Sequence, residues 1–118
     1  MRVLIVDDNE ELLQFLVLSL GEATVDAVGA KSVQEALEKV AAERFDAILV
    51  DATLGDSDGI GCAQKIRETK NGRNVPMIIM SAFSTPLARR MAASVGCNEL
   101  LVKPFGANQF VERVRMLG

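Results

Sequence analysis

Five short apolar runs, each followed by a stretch whose apolar residues return every three or four positions, constrain this chain more than any other feature. Runs this short and this continuous suit strands buried on both faces. Their alternation with helical segments implies an α/β fold, a doubly wound parallel sheet covered on both faces by right-handed crossovers. The sharpest run is Ala47 to Val50, which stops abruptly at Asp51 and so places a carboxylate where sheet ends and solvent begins.

The same reading extends along the chain. Arg2 to Val6 ends at Asp7 and Asp8, and Asn9 can cap a helix bearing Leu13, Leu16, Val17 and Leu20, with Gly21 expected to stop it. Residues 24 to 28 alternate polar and apolar, as in an edge strand lying next to the first, and Gly29 is expected to turn the chain. Ser32 and Glu35 form a capping box ahead of Val33, Ala36, Leu37 and Val40. Gly59 is expected to open a third helix running to about Lys70, with Ile60, Ala63 and Ile66 inward and a turn at Asn71-Gly72. Val75 to Met80 reads as a strand ending at Ser81, followed by Ser84-Thr85-Pro86 as cap and first turn of a helix with Ala88, Met91, Ala92 and Val95 inward and Gly96 at its end. A last strand near Glu99 to Val102 stops at Lys103-Pro104, and a fifth helix carries Ala107, Phe110, Val111, Val114 and Leu117.

Composition narrows the function. At 118 residues the chain is expected to form one domain, residues 1–118, with no linker or repeat. A net charge of -3 with scattered basic residues argues against direct nucleic acid binding. With no histidine, Ser-His-Asp and Cys-His relays are excluded, as is any phosphohistidine step within the chain. Cys62 and Cys97 are expected to be reduced thiols. The absence of a leader-like or membrane-spanning run leads to the expectation of a cytoplasmic protein without membrane contact.

Four of the five strands end in a polar group: Asp7 with Asp8, Asp51, Ser81 and Lys103. In a doubly wound sheet these ends meet in one cleft. Three carboxylates there repel one another and should raise the pKa of at least one, unless a hard divalent cation, Mg²⁺, compensates them. Lys103 adds a point charge and Ser81 a hydroxyl donor. That set suits phosphoryl transfer onto Asp51, with the acyl phosphate then drawing Ser81 and Lys103 toward itself. Each feature alone has a plainer reading: Asp7-Asp8 as a helix cap, Ser81 as a turn residue, Lys103 as a surface charge. Their conjunction carries the argument. The acidic loop fits no EF-hand spacing, and no nucleotide-binding glycine motif is present.

Over essentially its whole length the chain resembles the receiver domain of bacterial two-component response regulators. The resemblance rests on Asp7-Asp8, Asp51, Asp58-Gly59, Ser81 and Lys103-Pro104-Phe105. It implies a flavodoxin-like sheet of order 2-1-3-4-5. Asp51 would be the phosphorylation site, with Asp51, Lys103 and Ser81 as the catalytic set. Mg²⁺ would be held by Asp8, Asp51 and the Thr53 carbonyl, with Asp7 acting through water. The implied partners are a sensor histidine kinase or phosphotransfer protein and a downstream output domain or partner protein, and a homodimer is compatible with Arg89, Arg90, Arg113 and Arg115, with Glu99 pairing to Arg113 across it. Two positions depart from the family. Leu100 stands where an aromatic or histidine usually reports phosphorylation, so the expected switch pair is Ser81 and Leu100. Gly55 stands where the acceptor loop usually has proline. Thr53 occupies the place where aspartyl-phosphate hydrolases carry a second Asp, so no enzyme activity beyond self-phosphorylation and slow self-dephosphorylation is expected. The alternative is a degenerate receiver that binds a partner without phosphorylation, for which Leu100 is the best argument.

Overall fold

In the computed structural model, which describes residues 1–55 and 57–117, the elements follow one another as β1 (Arg2–Val6), α1 (Glu10–Glu22), β2 (Asp26–Ala30), α2 (Val33–Ala42), β3 (Ala47–Asp51), β4 (Thr53–Leu54), β5 (Ser57–Asp58), α3 (Gly59–Arg67), β6 (Met77–Ser81), α4 (Pro86–Ser94), β7 (Glu99–Val102) and α5 (Ala107–Leu117). Asp56 and Gly118 lie outside the described residues. Five strands pair in parallel in the order β2-β1-β3-β6-β7, which is the expected 2-1-3-4-5 once the two-residue strands are set aside. Those two, β4 and β5, form a small antiparallel pair that the apolar pattern did not announce.

Alternation along the strands sends neighbours to opposite faces. Leu4, Val6, Ile48, Val50, Met77 and Ile79 pack under α2, α3 and α4, against Ala36, Val40, Ile66 and Ala92. Val3, Ile5, Leu49, Ile78 and Met80 pack under α1 and α5, against Leu13, Leu16, Leu20, Phe110 and Val114. Burial on both faces explains why the inner strands read as unbroken apolar runs. Leu16 and Phe110 are fully buried, each worth roughly 1.5–3 kcal/mol relative to exposure.

Caps follow the sequence closely. Asn9 accepts from the Leu12 N–H at 3.1 Å, Ser32 from Glu35 at 3.1 Å, Asp58 from Ile60 at 3.0 Å and Thr85 from Ala88 at 3.1 Å, with Pro86 in the first turn. Gly96 ends α4 with φ +67°. The Lys103-Pro104 peptide is cis.

Several boundaries differ from expectation. Gly21 does not stop α1; it lies in the last turn, and the chain reverses at Thr24, which adopts φ +64°. There the Val25 N–H reaches the Leu20 carbonyl at 2.8 Å and the Thr24 N–H the Gly21 carbonyl at 3.0 Å, a left-handed cap made by threonine in place of glycine. β2 therefore begins two residues later than expected, and Gly29 is a strand residue opposite Ile5. Its lack of a side chain serves packing: a Cβ there would stand 2.7 Å from Leu13 Cδ2. α3 ends at Arg67, short of Lys70, because Thr69 Oγ1 donates to the Ile66 carbonyl at 2.6 Å and accepts the Gly72 N–H at 3.0 Å. β6 starts at Met77, after Pro76, which cannot donate to the ladder. Met91 is exposed, not core. Cys62 and Cys97 are free thiols, with Cys62 buried and its pKa pushed up to about 11 by that burial. Among the described residues no helix is long and apolar enough to cross a membrane.

Candidate functional site

The parallel register aligns Val6 with Val50, Val50 with Ile79 and Ser81 with Val102, so the polar residues that follow or close these strands converge at one end of the sheet. The chain leaves three of these strand ends by the same local device, a side-chain oxygen that accepts the N–H two residues on. Asp7 Oδ1 takes the Asn9 N–H at 3.0 Å, Asp51 Oδ1 the Thr53 N–H at 2.9 Å, and Ser81 Oγ the Phe83 N–H at 3.0 Å. Each bond bends the chain away from the sheet and fixes one atom of the functional side chain.

Lys103 bridges from the far strand. Its Nζ donates to Asp51 Oδ2 at 2.7 Å and lies 3.6 Å from Asp7 Oδ2. Asp7, Asp8 and Asp51 each offer a carboxylate oxygen within 4.8 Å of the others. Asp7 is fully buried and Asp51 nearly so, whereas Asp8 is exposed. Among the described residues, none donates a hydrogen bond to the buried Asp7 Oδ2.

Burial raises the pKa of Asp7, with the charge of Asp51 adding to it and the Asn9 N–H and Lys103 opposing. The expectation that one carboxyl would be raised holds, but loss of solvent is the larger cause and mutual repulsion the smaller. For Lys103 burial works against the charge, and the hydrogen bond to Asp51 with the field of Asp7 outweighs it, so its pKa rises. One ammonium among three carboxylates leaves negative charge uncompensated. The donors are all oxygen, one of them orphaned, which suits a hard divalent cation such as Mg²⁺ better than a soft metal.

The structure brings together Asp7, Asp8, Asp51 and Lys103, with Ser81 buried at the adjoining strand end. Thr53 stands next to Asp51, its N–H holding that carboxylate, and pairs with Asp58 through the β4–β5 hairpin. Leu100 is half-buried on β7, opposite Ile79. Glu99 and Arg113, expected to pair across a dimer, meet within one chain at 3.2 Å.

Gly59 and Gly55 also shape the site, in ways the residue pattern did not make explicit. A Cβ on Gly59 would stand 1.7 Å from the Asp51 carbonyl oxygen, so the loop can close over Asp51 only with glycine there. Gly55 adopts φ +58°, and a Cβ on it would lie 3.1 Å from Asp8 Oδ2.

Comparison with known proteins agrees with this architecture. A family model described as the response regulator receiver domain matches residues 3–115. The chain is 32% identical over 115 residues to the KDP operon transcriptional regulatory protein KdpE of Escherichia coli, covering 98% of this chain and 50% of KdpE. It is 32% identical over 116 residues to the transcriptional regulatory protein SrrA of Staphylococcus aureus, covering 98% of this chain and 47% of SrrA. The chain thus spans about half the length of the curated relatives it matches. The solved structure of the chemotaxis protein CheY4 of Vibrio cholerae superposes with a TM-score of 0.94 at 25% identity, covering 99% of this chain and 98% of that one. With a buried acidic cleft at the carboxyl ends of its strands and a family match from residue 3 to 115, this chain belongs to the response regulator receiver domains of two-component systems.

Proposed function

We propose that this domain takes a phosphoryl group onto Asp51 from the phosphohistidine of a partner sensor kinase or phosphotransfer protein, in a Mg²⁺-dependent reaction. The acyl phosphate then changes the surface offered to an output domain or partner protein. The observation that carries this reading is Asp51 held at 2.7 Å by Lys103 beside a buried Asp7 oxygen that no donor among the described residues satisfies.

In the transfer, an Asp51 oxygen bonds to phosphorus as the phosphorus–nitrogen bond of the donor breaks. The electron pair leaves with the donor's imidazole nitrogen, and Asp51 becomes an acyl phosphate. The Thr53 N–H holds Asp51 Oδ1 and so orients the carboxylate for attack. Lys103 Nζ, already at the other oxygen, meets the negative charge of the incoming phosphoryl oxygens. The Ser81 hydroxyl accepts one N–H and keeps its proton available for a phosphoryl oxygen. Mg²⁺ would be held by Asp8, Asp51 and the Thr53 carbonyl, with Asp7 through water, and supplies charge neutralisation when bound.

Thr53 lacks a carboxylate and the chain lacks histidine, so the position two residues after Asp51 supplies no general base to activate water. The domain therefore releases its own phosphoryl group slowly and acts on no other substrate. An output acting on transcription is in keeping with the names of KdpE and SrrA. The test is intact mass after incubation with a small acyl phosphate, with and without Mg²⁺. A single adduct that needs both Mg²⁺ and Asp51, and is absent from Asp51→Asn, is expected; an unmodified native chain would overturn the reading.

A further inference from the structure

Beside the acidic cleft lies a half-open space of ≈ 140 Å³, mostly apolar but with Thr53, Asp58 and Ser81 also in its lining. Ile60, Ile79, Leu100 and the Ser81 side of β6 line its interior, and the more exposed Phe83 and Met91 stand at its edge. Phe83 is 65% exposed, an unusual place for an aromatic ring next to an apolar opening. An apolar cavity of about 150 Å³ can admit a benzene ring, so the space is of the right size for this one.

Phe83 is also wired to the site. Its N–H donates to Ser81 Oγ at 3.0 Å, and residues 82–85 belong to no helix or strand. A serine that gives its proton to a phosphoryl oxygen on Asp51 must turn toward it, and in turning it either pulls the Phe83 amide along or lets it go. Leu100, on the cavity wall, has no polar atom with which to follow that movement.

We propose that Phe83 is the side chain that changes place on phosphorylation: the ring leaves the surface and fills the cavity beside Leu100, triggered by the turn of Ser81. This rests on the assignment of Asp51 as phosphoacceptor. Phe83 is exposed just ahead of α4, which itself exposes Leu87 and Met91. Burial of Phe83 removes one of these exposed apolar side chains, which is the change a partner would read.

The test labels the five phenylalanines with fluorine and assigns the Phe83 resonance by its loss in Phe83→Leu. Line broadening by a water-soluble paramagnetic agent is then measured before and after treatment with acyl phosphate and Mg²⁺, with adduct formation followed by mass. Phe15, exposed on α1, is the internal standard. A several-fold fall in broadening at Phe83 but not Phe15 is expected in the phosphorylated protein, and no fall in phosphorylated Ser81→Ala. An adduct with Phe83 still exposed overturns the proposal alone. Protection that persists in phosphorylated Ser81→Ala overturns the trigger. Absence of any adduct removes the phosphoacceptor assignment and this proposal with it.

Discussion

The two ends of the sheet carry the same ionic inventory and treat it differently. At the start of β1, Arg2 stands among Asp26, Glu43 and Asp46; at the other end, Lys103 stands among Asp7, Asp8 and Asp51. All three guanidinium nitrogens of Arg2 donate, Nη1 to Asp26 at 2.7 Å and Nε and Nη2 to Glu43 at 2.7 and 2.9 Å, and the guanidinium lies over the Phe45 ring at 5.9 Å. Its carboxylate partners are 37% and 68% exposed, so water shares the charge. At the far end the Asp7 side chain is 0% exposed and one of its oxygens has no donor among the described residues. Solvent access, more than residue type, separates a structural ion cluster from the site proposed to take up a cation and a phosphoryl group.

Four substitutions test that contrast. Gly59→Ala forces a methyl into the Asp51 backbone and should lower stability by about 3 kcal/mol or more, measured by urea unfolding. A milder loss would mean that the loop over Asp51 is not built to the tolerance inferred. Asp7→Asn keeps the shape and removes the buried charge. In chelator it should raise stability by about 1–2 kcal/mol, and the stabilisation by added Mg²⁺ should shrink.

Acid should act on the two ends with opposite signs. The Asp7 pKa is raised in the folded state, so its contribution is full below the ordinary 3.8 and is lost as pH rises through the raised value. Glu43 is lowered, chiefly by its hydrogen bond from Arg2, so its contribution is present above 4.5 and is lost as pH falls through the lowered value. Metal-free Asp7→Asn should lose the gain on acidification, and Arg2→Met should lose the acid-side decline while shifting the neutral thermal midpoint by only a few degrees. Parallel pH profiles for the two variants would dissolve the distinction. The smallest effect is expected at Gly21, where a Cβ meets nothing. Gly21→Ala should stabilise α1 by about 0.5–1 kcal/mol in the same unfolding assay, in contrast to the intolerance at Gly59.

Much of this was legible because the signals are local. A strand buried on both faces must be apolar throughout, and a helix between strands must carry one stripe, so Ala47 to Val50, Met77 to Met80 and the stripe of α2 can be read directly. Polar residues at the ends of such runs have few places to go except the cleft, which is why Asp7, Asp51, Ser81 and Lys103 stood out. Asn9, Ser32 and Thr85 cap as their types suggest. The failures came where a residue served a distant partner. Gly29 looked like a turn and is a gap for Leu13; Gly21 looked like a stop while Thr24 performed it; Met91 matched a stripe on a helix that buries only Ala92 along its length.

The sequence by itself determined the alternation of elements, the two faces of the core and the types of atom available to the site, since each follows from periodicity and donor chemistry within a few residues. Only the tertiary structure decided which of those atoms are dry. Burial of Asp7, the 2.7 Å reach of Lys103 to Asp51, the clearance at Gly59 and the space beside Phe83 each depend on segments tens of residues apart being pressed together. The free energy of a charge depends on everything that excludes water around it, and no local pattern records that.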